Sequence, residues 1–403
     1  MKEFVIRNID YIVAAFVFGA LSLLCLDRGI VFSSDSTTFS EWADMLIYEN
    51  FNIAAYLKNN DFVTPSILYL TPTLLMAVYK FSFGEYWREA FFLSNLILLG
   101  WAMWVSVKLL RQAGVRKYLI AALLPFLLLT DLQLWPSYIL TDMLNAFLVV
   151  LNIYLLSTLD PRSNMRILCI FTTLAILFLS RPTGPINLLL LCTPFLTLYI
   201  FGYRALVRLL FPCILLTLIL TSLIYGAFFE LIFLSEQAQA NDSPIFRAII
   251  ANEQWQFLSS FVKEGVVIHD RPDTAIDIEL NTLQIAKLYV VRFLYFFMPF
   301  ASTYSTIHNL ANLLVISAFF SSVCIWIYFV LQNSFCGELS SSLCRTMYIS
   351  SFIIFGLAFF HAATLIDWDW RYRFPTILPM FVLCATAFEQ CFRAIGTGRT
   401  LNE

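Results

Sequence analysis

Three kinds of side chain in this sequence could do chemistry together: carboxylates, guanidinium groups and hydroxyls, each at the edge of a long apolar stretch. Asp35 lies in Val31-Phe32-Ser33-Ser34-Asp35-Ser36-Thr37-Thr38-Phe39, just past the first apolar segment. Asp142 follows Thr141 where another apolar run begins, and Arg181 stands in Ser180-Arg181-Pro182-Thr183-Gly184. Arg371 and Arg373 flank Tyr372 in Asp367-Trp368-Asp369-Trp370-Arg371-Tyr372-Arg373-Phe374-Pro375. Ionisable side chains at membrane depth are costly and mark functional positions by default. A carboxylate there can take the proton from an attacking hydroxyl. Arginines bind and stabilise a departing phosphate with a planar fork that lysine cannot match. Such a set suits transfer of a group away from an anionic leaving group.

Each position also has a plainer role. Asp35 could cap a juxtamembrane helix, and Thr141 with Asp142 could cap the helix that follows. Arg181 could snorkel to lipid headgroups. Arg371 and Arg373 could pair locally with Asp367 and Asp369, while Trp368, Trp370 and Tyr372 suit an interfacial aromatic belt. His269, His308 and His361 are scattered without metal-ligand spacing, so no metal site and no cofactor is expected. No Walker-type or dinucleotide-binding glycine pattern occurs.

The elements that must position these residues are transmembrane helices. The chain is 60% hydrophobic and only 13% charged, outside the range of soluble domains. Its apolar stretches of roughly 17–25 residues are helix-length spans, too long for barrel strands. A net charge of -2 gives no polybasic character that would point to nucleic acid. Most of the cysteines sit inside apolar segments, which predicts no structural disulfide.

Cytoplasmic loops are enriched in Lys and Arg, so the acid-free cluster Lys108, Arg111, Arg116, Lys117 should be cytoplasmic. The acid-rich stretches Ser33–Asp61 and Leu234–Ala286 should face outward. With the N-terminus inside, only one of the apolar segments Pro65–Phe83 and Ala90–Val107 can cross. The first is short and interrupted by Pro72, Tyr79 and Lys80, and so is expected as an outer-face juxtamembrane helix. Leu288–Ala301 is amphipathic enough to lie on the membrane. The fold expected is an all-α polytopic membrane protein of about ten transmembrane helices, both termini cytoplasmic. It reads as one domain, residues 1–403, with juxtamembrane helices in a first outer loop at 32–89 and a large outer loop at 234–306. No internal repeat or linker is visible.

In this pattern the chain resembles the GT-C class of integral-membrane glycosyltransferases, the group that includes protein mannosyltransferases and aminoarabinose transferases. The resemblance is carried by several motifs. Ser34-Asp35-Ser36 lies after span one, followed by Trp42-Ala43-Asp44-Met45-Leu46. Pro65-Ser66-Ile67-Leu68 leads a segment ending at Phe83-Gly84, with Arg88 and Asn95 beyond. The others are Leu140-Thr141-Asp142, Ser180-Arg181-Pro182-Thr183-Gly184, and Arg371-Tyr372-Arg373-Phe374-Pro375 before Pro379. The resemblance implies an inverting transfer of a sugar from a polyprenyl-phosphate donor to a glycan, lipid or protein hydroxyl. Asp35 would be the general base, Asp142 would orient the acceptor or assist, and Arg181, Arg371, Arg373, Tyr372 and Arg88 would hold the donor phosphate. The expected place is the bacterial inner membrane among its lipids, with the site on the periplasmic face. A lipid-linked glycan transporter (a flippase) or a glycan polymerase is the rival reading. Midplane charges and paired broken helices would mark a transporter.

Overall fold

In a bilayer every backbone N–H and C=O needs an internal partner, and the chain meets this with helices. A computed structural model describes residues 6–59, 69–158, 164–181, 183–195, 293–294, 296–299, 305–331, 342–364 and 373–396. Among these residues the regular structure is helical, apart from one isolated parallel bridge between Val31 and Tyr138. In chain order the helices are α1 (Ile9–Arg28), α2 (Ser34–Tyr48), α3 (Ile53–Asn59), α4 (Leu70–Phe83), α5 (Trp87–Gln112) and α6 (Lys117–Leu123). They continue with α7 (Asp142–Ser157), α8 (Asn164–Phe178), α9 (Gly184–Phe195), α10 (Thr306–Leu331), α11 (Ser342–Thr364) and α12 (Ile377–Gly396).

Among the described residues, five segments are long and apolar enough to cross a membrane: α1, Leu70–Gln112, and the spans built on α10, α11 and α12. The shorter helices α7, α8 and α9 are also apolar. At 14 residues α4 measures about 21 Å, less than the roughly 30 Å of hydrocarbon, and it joins α5 in one apolar stretch. The expected loop at 234–306 lies mostly outside the described residues, and the span expected at about Ala205–Phe233 lies wholly outside them. Where the sequence pattern suggests one continuous span at Tyr118–Thr130, the chain is broken instead. Pro125 lacks the N–H an α-helix needs, so α6 stops at Leu123 and continues as a 3-10 helix, Leu124–Leu129. A 62° bend then separates Lys117–Leu129 from Asp131–Ser137.

Helices α5, α7, α11 and α12 pack together at the centre, and α1 and α10 stand outside them. In the apolar window of α12, 83% of residues are buried, against 28% in α1, whose Phe16, Leu23 and Leu26 face outward as lipid-facing side chains would. Lipid tails are as apolar as leucine, so close packing and polar contacts between helices hold such a bundle. Gly356 of α11 illustrates the packing: a Cβ built there would lie 2.1 Å from a Leu190 methyl of α9.

The polar contacts sort into two ends. At one end Arg111, finishing α5, pairs with the buried Asp10 that begins α1. Beside it, Glu389 of α12 accepts from the Arg116 backbone N–H at 3.1 Å and from the Arg116 and Arg393 Nε groups, both at 3.0 Å. At the other end Ser137 donates to Cys25 O at the close of α1, and Asn95 of α5 donates to Tyr138 O at 2.9 Å. Thr71 N–H, starting α4, donates to Leu179 O at the close of α8. The basic cluster that the charge pattern assigns to the cytoplasm thus gathers at one end. The candidate site gathers at the other.

Candidate functional site

Two strands of irregular chain lie side by side at the acidic end. Val31 N–H donates to Ser137 O at 2.9 Å, and Ile139 N–H donates to Val31 O at 3.1 Å. From this bridge the two segments run parallel, and each enters a helix within four residues. Asp35 is four residues past Val31 and Asp142 four past Tyr138, so each acid lies in the first turn of the helix that its segment enters. A helix N-terminus carries a partial positive charge that favours a carboxylate.

The cap of α2 is Ser33, not Asp35. Ser33 Oγ accepts from Ser36 N–H at 3.3 Å and Ser36 Oγ accepts from Ser33 N–H at 3.1 Å, which closes a capping box. Asp35 is half-buried. Helix α2 is held down by Lys80 of α4, which donates to Ser40 O at 2.8 Å and pairs with Asp44 at 2.6 Å. That lysine, an interruption in the apolar pattern of 65–83, is the tie between the two helices.

Asp142 is buried at the start of α7, and Thr141 makes no side-chain cap bond there. Its partner is Arg181, which donates to Asp142 Oδ1 from the turn between α8 and α9. Gly184 shapes that turn: its N–H donates to Arg181 O at 2.7 Å, and a Cβ there would meet the carbonyl oxygens of Leu177 and Phe178 at 2.4 Å. Only glycine fits so close to the backbone of α8. Asn187 of α9 reaches Asn145 of α7 at 3.3 Å, one turn inward from the ion pair.

The other expected cations fall differently. Arg88 is exposed, its guanidinium 4.4 Å from the Phe32 ring, at the edge of the segment that leads to Asp35. Arg373 is buried, but near Asp131 instead of Asp142: its Nη2 lies 3.6 Å from Asp131 Oδ2, and its Nη1 donates to Met298 O at 3.2 Å. Arg371 and Tyr372 lie outside the described residues. The structure therefore pairs Arg181 with Asp142, sets Arg88 on the ring of Phe32, three residues before Asp35, and joins Arg373 to a second acid.

That second acid had a signal in the sequence. Asp131 ends an apolar run as abruptly as Asp35 does, but its position there reads only as a loop boundary. It is 1% exposed, with His308 Nε2 at 3.7 Å besides Arg373. Compared with known proteins, the chain finds no matching family model, curated protein or solved structure.

Proposed function

We propose that the chain is a membrane-embedded glycosyltransferase that moves a sugar from a polyprenyl-phosphate donor to an acceptor hydroxyl at the outer face, with inversion. The observation that supports this reading best is the Val31–Tyr138 bridge, which joins two segments that each lead, within four residues, into a helix with a carboxylate in its first turn. Asp35 would take the proton from the acceptor hydroxyl as it attacks the anomeric carbon. Asp142 is neutralised by Arg181, so its part would be to orient the acceptor and keep the α7–α8 end rigid. Arg88 at the rim and Arg371 before α12 would receive the phosphate, while Arg373, held beside Asp131, would not. One displacement by one base gives inversion, by analogy with glycoside hydrolysis.

The bacterial inner membrane, with the site periplasmic and both termini cytoplasmic, belongs to this reading. So does the ten-span topology. With α1, each apolar helix or helix pair from α5 onward crossing once, and the span expected at about Ala205–Phe233, which lies outside the described residues, the total is about ten. Asp35→Asn keeps the shape and removes the basicity. Transfer, read by mass spectrometry of cell-envelope glycans, should fall about 10²–10⁴-fold while the protein stays folded. Near-normal transfer would end the proposal.

One observation favours the transporter reading: the broken span at Lys117–Ser137, since discontinuous helices line transport sites. Translocation of a fluorescent lipid-linked glycan in vesicles, unchanged by Asp35→Asn, would select it.

A further inference from the structure

The broken span leaves a pocket. Because the chain abandons α-helix at Leu124 and turns at Asp131, α10 and α12 are not fully covered there, and a cavity of about 50 Å³ remains. A water needs some 10–15 Å³ measured this way, so the space takes several ligand atoms. Its walls are apolar, among them Phe126, Ile316, Phe319, Met380 and Phe381. Its polar lining is Thr130, Asp131, Asn312 and Arg373, and His308, one turn before Asn312 on α10, has its Nε2 3.7 Å from Asp131. Outside it, Ile307, Leu310 and Leu314 of α10 are exposed along the apolar surface.

Two buried side chains of that polar lining carry atoms without hydrogen bonds. Both carboxylate oxygens of Asp131 accept none, and Asn312 Nδ2 donates none, although the residues are 1% and 3% exposed. A buried polar group without a partner is costly and calls for a ligand, water or ion. The missing partners are opposite in kind: Asp131 needs donors and Asn312 needs an acceptor. A hydroxyl is both. An anionic head group is not, because it would stand against the Asp131 carboxylate, whose charge already faces Arg373 at 3.6 Å.

We infer that this pocket binds a single-chain amphiphile with an uncharged, hydroxyl-bearing head, its hydroxyls on Asp131 and Asn312 and its chain along Ile316, Phe319 and Phe381. This goes beyond the transferase reading and differs from its phosphate donor. Binding stands whether or not the chain transfers a sugar.

The test uses the full chain in lipid nanodiscs and an octyl glucoside carrying a diazirine on the alkyl chain. Illumination and peptide mapping should place the label on the α10 and α12 segments around Phe319 and Phe381. Excess octyl glucoside should suppress labelling at least tenfold, and octyl phosphate should not. Asn312→Leu removes the unpaired donor without burying a new polar group, and should cut labelling about tenfold in protein of unchanged melting temperature. Asp131→Asn should act alike. Equal competition by octyl phosphate, labelling confined to other segments, or undiminished labelling of folded Asn312→Leu would each overturn the inference, even if Asp131→Asn proves unstable.

Discussion

Asp142 and Arg181 are buried together, and in such a pair the partner left behind matters most. Removing one member strands an uncompensated charge, at a cost of about 3–5 kcal/mol, whereas replacing both with shape-matched neutral groups is often neutral. Arg181→Met and Asp142→Leu should each lower the yield and melting temperature of the purified protein, and the double variant should recover most of the loss. A double variant as weak as the sum of the singles would show that the pair is not coupled. The same burial bears on chemistry, since an arginine committed to Asp142 is less free to take a phosphate than Arg88 at the rim. The residue types here were legible, because charges at the ends of apolar runs stand out. Their pairing was not, because Arg181 meets an acid 39 positions away.

Among the elements, the turn from α8 to α9 has the least tolerance. Gly184 lies against the last carbonyls of α8, which cannot move without unwinding that helix, so Gly184→Ala should destabilise by about 1–3 kcal/mol or more. A lowered melting temperature in detergent, with loss of Arg181-dependent activity, is the expected result. At Gly356 the obstacle is the end of a Leu190 side chain, which can turn aside, so Gly356→Ala should cost less. Comparing the two in one thermal series checks the distinction. Helix α6 teaches a related lesson. Its apolar run looked continuous because hydropathy ignores backbone donors, yet Pro125 within it was a visible reason for the break.

For the molecule as a whole, the gathering of Asp10, Arg111, Arg116, Glu389 and Arg393 at one end and the two first-turn acids at the other makes a sided prediction. A cysteine at exposed Glu41 should react with an impermeant maleimide in intact cells. A fluorescent protein fused to the C-terminus should fold and fluoresce in the cytoplasm. Labelling of Glu41→Cys only after permeabilisation would invert the topology and put the acids inside.

Apolar run length and scarce charge were enough to read a helical membrane chain and most of its described helix positions, because each is a local property of consecutive residues. Tertiary structure alone decided the rest. It took the cap from Asp35 and gave it to Ser33 and Ser36, joined Arg181 to Asp142 and Arg373 to Asp131, and opened a pocket beside a helix that proline had broken. Those outcomes depend on which helix ends meet, and residues far apart in the chain carry no pattern that says so.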